Sequence, residues 1–253
     1  MESPQTALVT GAANRIGRAI ALDLGRAGWR VAVHYNTSGK DAAQTVKDIE
    51  AAGGAAISLQ ANLADLDAVS GLLPACIDRL GAPTCLVNNA SLFEHDRIES
   101  LSPEDWQTHL DINLRAPVFL AQAFAANLPR DAEGVIINML DQRVWKLTPD
   151  FFSYTVSKSA LWSATQTLAQ GLAPRVRVNA IGPGPALANS RQTAEAFARQ
   201  QEATLLHRGP ELEEICAAVR FILDARSMTG QMIALDGGQH LAWRTPDIFE
   251  SEA

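Results

Sequence analysis

The segment Thr10-Gly11-Ala12-Ala13-Asn14-Arg15-Ile16-Gly17 follows the apolar run Ala7-Leu8-Val9 and leads into Ile16, Ala19, Ile20, Leu22 and Leu24, apolar positions at helical spacing. It therefore reads as a strand-to-helix turn. Glycine there lets backbone approach a pyrophosphate closely, while the first turn of the helix offers N–H donors and the positive end of the helix dipole. Outward from this turn the pattern predicts strands over Thr6–Thr10, Arg30–His34, Ala56–Gln60, Thr84–Asn88, Gly134–Met139, Arg175–Ala180 and Met232–Leu235. Helical patterns fall near 15–27, 40–52, 66–80, 104–128, 153–171 and 211–224. Such alternation predicts an α/β chain: one doubly wound parallel sheet of about seven strands, with helices on both faces and right-handed crossovers. Ligands of these sheets bind beyond the carboxyl ends of the strands. Thr10, His34, Asn62, Asn88 and Leu140-Asp141 all stand at or just after strand ends and are expected to line one cleft.

Composition narrows the classes. At 253 residues and 47% hydrophobic the chain can bury one large core, and no linker or low-complexity tract divides it, so residues 1–253 are expected to form a single domain. A formal charge of −7 argues against a nucleic-acid partner, because polyanion binders carry a basic face. Cys76, Cys85 and Cys216 show neither metal-ligand clustering nor a C-x-x-C pair, which suits reduced structural thiols and gives no metal site. No signal-type N-terminus and no run of 18 apolar residues is seen. The expectation is a cytoplasmic protein with no membrane partner.

A second segment, Tyr154-Thr155-Val156-Ser157-Lys158, puts a phenol and an ammonium four residues apart on one helical face. A positive charge beside a phenol lowers its pKa and makes it a better acid at neutral pH. Asp141 closes the strand pattern Ile137-Asn138-Met139-Leu140, 13 residues before Tyr154. Alone it would read as a helix cap or a strand-end residue. The second strand runs into His34, Tyr35 and Asn36 with no carboxylate to accept a ribose 2′-hydroxyl or to repel a 2′-phosphate, which selects NADP(H) over NAD(H). Arg15 supplies positive charge for phosphate.

These residues, with Asn88-Asn89-Ala90, Asn113, Gly182-Pro183-Gly184 and Thr229-Gly230 through Leu235-Asp236-Gly237-Gly238, resemble the short-chain dehydrogenase/reductase family over nearly the whole chain, which implies a Rossmann-like NADP-binding fold. Two departures point to a subgroup: Arg15 where most members have a second glycine, and Asp141 where most have the catalytic serine. With Ser91 and Phe93 they resemble the pteridine reductases and dihydromonapterin or dihydrofolate reductases. The resemblance implies Asp141, Tyr154, Lys158 and Asn113 as the catalytic set. It implies Thr10, Gly11, Arg15, Ile16, Gly17, His34, Tyr35, Asn36, Asn62, Leu63, Asn89, Ala90, Lys158, Pro183 and Gly184 as the NADPH site. Substrate, a pterin, would meet Arg15, Ser91, Phe93, Asp141 and Tyr154. A carboxyl group in the serine's place can exchange a proton with a ring nitrogen, so the acceptor implied is a C=N bond. The alternatives are an ordinary ketone or 3-oxoacyl reductase, and an NADP-binding regulatory protein without efficient chemistry.

Several residues keep two readings. Phe93 either stacks on the pterin or fills core, and Ser91 is either a ligand or a turn hydroxyl. Pro117 has no N–H for the carbonyl of residue 113, which kinks the helix and either opens a water site at Asn113 or serves packing alone. Residues 186–208 follow the Gly182-Pro183-Gly184 turn and are expected to form a flap over the substrate, with Arg191, Arg199, Gln200 and Gln201 facing it or facing solvent. Trp106, Trp162, Phe119, Phe124 and Phe221 read as core or subunit contacts, and the five histidines as non-catalytic. The apolar helices near 104–128 and 153–171 imply a homotetramer, or at least a dimer, and the tail 243–253 either reaches a neighbouring pocket or hangs loose.

Overall fold

The computed structural model describes residues 5–188 and 192–243. Seven strands form one fully parallel sheet: β1 (Thr6–Val9), β2 (Arg30–Tyr35), β3 (Ala55–Gln60), β4 (Cys85–Asn88), β5 (Gly134–Met139), β6 (Val176–Pro183) and β7 (Met232–Leu235). Their order is β3-β2-β1-β4-β5-β6-β7, so the order reverses between β1 and β4. A crevice opens at that reversal, beyond the strand carboxyl ends.

The period-2 side-chain alternation of β1 explains why both faces must be covered. Ala7 and Val9 enter one core with Ile20, Ala21 and Leu24 of α1 (Arg15–Arg26), Ala42 and Ile49 of α2 (Gly39–Ala51), and Ile215, Val219 and Ile222 of α8 (Leu212–Asp224). Leu8, pointing the other way, enters a second core with Leu72 and Leu73 of α3 (Leu66–Leu80) and Leu120 and Phe124 of α5 (Ala116–Asn127). Ala169 of α6 (Phe152–Leu172) joins that second core. Cys76, Cys85 and Cys216 are free thiols buried in these cores, and burial pushes Cys85 up to about 12.

Three predicted boundaries are corrected. The single helix expected near 104–128 is α4 (Pro103–Leu110), a π-helical turn over Asp111–Arg115, and then α5. Pro117 cannot donate to residue 113, and the chain widens there: the Ala116 N–H reaches Asp111 O, five residues back. β6 runs on to Pro183, held by β7 pairing through Pro183↔Leu235. The segment 186–208 contains a helix, α7 (Ala194–Glu202), while Arg191 and all of the tail except Trp243 lie outside the described residues. No helix among the described residues is long and apolar enough to cross a membrane.

Candidate active site

A cavity of about 560 Å³ lies over the β1/β4 reversal. Its floor is the glycine turn. Gly11 has φ +62°, and a Cβ there would stand 2.9 Å from Ala90 Cα. A Cβ on Gly17 would stand 2.2 Å from Gly11 O and 2.4 Å from Asn89 Nδ2. Only glycine permits this approach of β1, α1 and the loop after β4. Thr10 Oγ1 accepts the N–H groups of Asn89 (2.9 Å) and Ala90 (3.0 Å), and Asn89 Nδ2 donates to Thr10 O and Gly11 O at 2.9 and 3.1 Å. Asn14 precedes α1 in extended conformation and makes no side-chain cap, so the first-turn N–H donors at the cavity wall are left for a ligand. A phosphate fits this cradle.

Arg15 has φ +54°, a left-handed backbone uncommon outside glycine and the geometric reason that a glycine is more usual here. Its guanidinium donates to Ala188 O (2.7 Å) and Leu187 O (3.2 Å), tying the turn to the segment after β6.

His34 lines the cavity, with both of its ring nitrogens already engaged. It is 1% exposed, its Nδ1 accepts the Gly11 N–H at 3.0 Å, and its Nε2 donates to Ala61 O at 3.1 Å. The first bond fixes the neutral tautomer, and burial lowers its pKa to about 4. His34 thus supports the glycine turn from beneath and brings no charge to a 2′-phosphate. Thr10, buried, and Tyr35, packed towards Gly39, stand behind the wall that His34 helps to form. Ile16, Asn36, Asn62, Leu63, Asn89, Ala90, Pro183 and Gly184 line the cavity itself.

Across the cavity stand Asp141, Tyr154 and Lys158. Asp141 ends the extension of β5, and Tyr154 and Lys158 lie in the first turns of α6. The Tyr154 hydroxyl donates to Asp141 Oδ2 at 3.0 Å. Asp141 Oδ1 accepts the Arg143 N–H at 2.8 Å, capping the 3-10 turn Gln142–Val144, so the residue is a cap that also lines the cavity. Burial raises the Asp141 carboxyl above its ordinary range. Lys158 Nζ donates to Met139 O at 2.8 Å and lies 5.7 Å from the Tyr154 ring centre; burial lowers it to about 8. Tyr154 moves opposite to expectation: burial, then the neighbouring carboxylate, pushes the phenol well above 10. Desolvation of the phenol and the Asp141 carboxylate outweigh the Arg143 guanidinium, which acts in the lowering direction.

Asn113 is fully buried where the π-helical turn widens. Its Oδ1 accepts the Leu92 N–H at 2.8 Å and the Ser91 hydroxyl at 3.2 Å, while Nδ2 donates to Leu92 O and Ser157 Oγ, both at 3.0 Å. Asn113 therefore joins the β4 loop to the helix that carries Tyr154. Ser91 borders the cavity and stabilises that loop in the same stroke. Phe93 stacks on Phe151 (4.2 Å between centres, 8° between planes) and meets Tyr154 edge-on at 4.7 Å.

Sequence reasoning passed over Asp96, and it marked Gln142, Arg143 and Phe151 only as departures around the pocket, without a role. Asp96, 4% exposed, accepts the Ser153 N–H and hydroxyl and so caps α6; the signal was a lone acid with a serine at a distant helix start. Phe151 precedes α6 with φ +59°. Arg143 lies over the Phe93 and Phe151 rings, and Gln142 lines the cavity beside it. Of the flap residues, Gln200 lines the cavity and accepts from Gln192 at 2.9 Å, while Gln201 donates to Pro185 O at 3.3 Å.

A parallel sheet with a glycine cradle at its reversal and a Tyr–Lys pair across the crevice defines a nicotinamide-dinucleotide oxidoreductase. The chain belongs to the short-chain dehydrogenase/reductase family: the family profile described as enoyl-(acyl carrier protein) reductase matches residues 11–240. Among solved structures it is similar to the FolM alternative dihydrofolate reductase 1 of Brucella canis complexed with NADP, at 51% identity and TM-score 0.94, covering 96% of this chain and 97% of that one. The Brucella suis protein of the same description, also with NADP, shares 51% identity and TM-score 0.94 over 98% and 99% of the two chains. The 3-oxoacyl-[acyl-carrier-protein] reductase of Synechocystis is 34% identical over 92% of this chain and 96% of its own. The likeness to FolM fits the pteridine and dihydrofolate reductase subgroup.

Proposed function

We propose that this protein is an NADPH-dependent reductase acting on a C=N bond of a pterin-type substrate: a dihydropteridine, dihydromonapterin or dihydrofolate. The carrying observation is the 3.0 Å hydrogen bond from Tyr154 to Asp141, a carboxyl group where the wider family places a serine. The two NADP-bound FolM structures support the same substrate class.

The cofactor is NADPH, which when bound supplies the hydride. Gly11, Ile16 and Gly17 would hold its pyrophosphate, Asn36, Asn62 and Leu63 its adenosine side, and Asn89, Ala90, Pro183 and Gly184 its nicotinamide side. Lys158 would hold the nicotinamide ribose. As the acceptor carbon takes hydride and the C=N π bond breaks, the nitrogen takes the Tyr154 proton. Asp141, whose raised pKa lets it hold a proton nearer neutrality, replaces it. The strong raising of the phenol pKa is consistent with an acid that releases its proton only as charge develops on the acceptor.

The 3-oxoacyl reductase relatives favour a second reading, reduction of a ketone by the same Tyr154 and Lys158. A turnover assay with NADPH against dihydromonapterin, dihydrofolate, dihydrobiopterin and a 3-oxoacyl thioester separates them. Turnover of a dihydropterin at least tenfold above the thioester supports the proposal; the reverse order establishes the ketone reading. An NADP-binding regulator would turn over none.

A further inference from the structure

Two guanidinium groups line the cavity among the described residues, and they differ in what they hold. Both terminal nitrogens of Arg15 donate to backbone carbonyls. Arg143 has no hydrogen-bond acceptor for its side chain among the described residues. Its nearest carboxylate oxygen, Asp141 Oδ1, is 4.0 Å from Nε, and its Nη1 is buried without a partner. The group is nonetheless well placed, with the guanidinium carbon 4.8 Å from the Phe151 ring centre and 5.5 Å from that of Phe93. Its side chain is only 16% exposed. A guanidinium brought out of water without an acceptor is costly, and such a group persists where a ligand completes it. The preceding residue makes the same point: Gln142, 5% exposed and lining the cavity, has an Oε1 with no partner. Both of these polar groups lie in the 3-10 turn that Asp141 caps.

We propose that Arg143 reads the substrate: its guanidinium, laid on the Phe93–Phe151 pair, donates to an oxygen on a flat heteroaromatic acceptor, a ring oxo group or a carboxylate attached to it. The inference deepens the pterin reading and rests on it for the planar ligand. The geometry couples specificity to chemistry, because the Arg143 backbone N–H holds the same carboxylate that receives the Tyr154 hydroxyl. An acceptor oxygen seated on Arg143 would thereby be registered against the proton donor.

The test is calorimetric titration of the NADP⁺-loaded protein with pterin, which has a ring oxo group and no carboxylate, and with folate, which has both. Wild type is compared with Arg143→Gln, which loses the charge, and Arg143→Lys, which keeps it without the fork. The expected result is a Kd for pterin raised about 10- to 100-fold in Arg143→Gln and partly recovered in Arg143→Lys, with NADPH affinity within twofold of wild type. A loss confined to folate assigns the oxygen to the carboxylate and upholds the inference. Unchanged Kd values in Arg143→Gln overturn it, as does a wild type that binds neither ligand, or a matching loss of NADPH affinity and thermal stability in both variants. Arginine-dependent binding without dihydropterin turnover would refute the reductase reading alone.

Discussion

The Tyr154 hydroxyl and the Asp141 carboxylate are joined by a 3.0 Å hydrogen bond while the Lys158 ammonium, four residues on, is turned to the Met139 carbonyl at 2.8 Å. The closest proton partner of the phenol is therefore a carboxyl group. Asp141→Asn keeps the shape and removes the titratable proton, so it is expected to lower dihydropterin turnover by about 10²–10⁴-fold with NADPH binding intact. Asp141→Ser is expected to lower dihydropterin turnover selectively, with ketone reduction retained or raised. Because burial raises the Asp141 pKa, wild-type turnover should fall as pH rises through that raised value, and Asp141→Asn should flatten this limb. Tyr154→Phe is the control and should lower turnover with every substrate. Wild-type rates and pH profiles in both Asp141 variants would remove this residue from the relay.

His34 makes the fold acid-sensitive from beneath the cofactor cradle. Folded, its pKa is lowered from 6.5 to about 4 by burial. Between those values the unfolded chain takes a proton that the folded chain refuses, so stability is complete above about pH 6.5 and lost as pH falls towards 4. The full depression corresponds to about 3 kcal/mol. Urea denaturation at pH 7 and pH 5 measures it. His34→Asn, which keeps an acceptor for the Gly11 N–H, should be less stable at pH 7 and lose less on acidification. Equal pH slopes in the two proteins would contradict the assignment.

The two kinds of sequence signal differed in what they reached. Strand positions and the glycine cradle were legible because both are local: an apolar run marks Ala7, Leu8 and Val9, and Gly11 and Gly17 mark a turn that a Cβ would block. The pairing of Asp141 with Tyr154 was legible through position taken together with the family resemblance. What stayed hidden depends on distant partners. Nothing local in Val33-His34-Tyr35 shows that Ala61 and Gly11 engage both nitrogens of the imidazole. Asp96 caps a helix 57 residues away, and the direction of the Tyr154 shift depends on burial that no spacing reveals. Pro117 announced a distortion, but the widening into a π-helical turn that seats Asn113 is a property of the packed helix.

Asp96 is expected to matter to stability and catalysis together. Its carboxylate accepts the Ser153 N–H through both oxygens at 3.2 Å, and its carbonyl accepts the Phe151 N–H at 2.8 Å, all at the helix start immediately before Tyr154. Asp96→Ala keeps the backbone bond to Phe151 but leaves the buried Ser153 N–H and hydroxyl without this acceptor, and should cost about 2–3 kcal/mol, lowering Tm by about 5–10 °C. Turnover should fall even at temperatures where the protein is fully folded, because the first turn of α6 loosens. Asp96→Asn should retain part of both properties. An unchanged Tm in Asp96→Ala would show that α6 is fixed by its packing alone.

Association with copies of the same chain is expected through α5 and α6. On α5, Leu120 and Phe124 are buried, whereas the neighbouring Phe119 is 42% exposed and points away from the sheet. An exposed aromatic on an apolar helix is the mark of a helix-face contact between subunits. Light scattering at micromolar concentration should report a tetramer, or a dimer, for wild type and a smaller species for Phe119→Asp. A wild-type monomer with full activity would end this expectation.

Gly17 and Gly71 separate two things that glycine does. A Cβ on Gly17 would stand 2.2 Å from Gly11 O and 2.4 Å from Asn89 Nδ2, and neither can retreat, since Asn89 Nδ2 is bonded to Thr10 O and Gly11 O. Gly17→Ala must therefore push α1 away from the turn, displacing the first-turn N–H donors from the phosphate position. NADPH affinity is expected to fall at least tenfold, with a lowered Tm. Gly71, within α3, has open space within 4 Å of the point a Cβ would take. Gly71→Ala should bind NADPH as wild type does and gain about 0.5–1 kcal/mol from the reduced freedom of the unfolded chain. Fluorescence titration with NADPH and thermal melts of the two variants decide the matter. If Gly17→Ala binds NADPH with wild-type affinity, the glycine turn is not the phosphate cradle, and the cofactor must enter the cleft in another orientation.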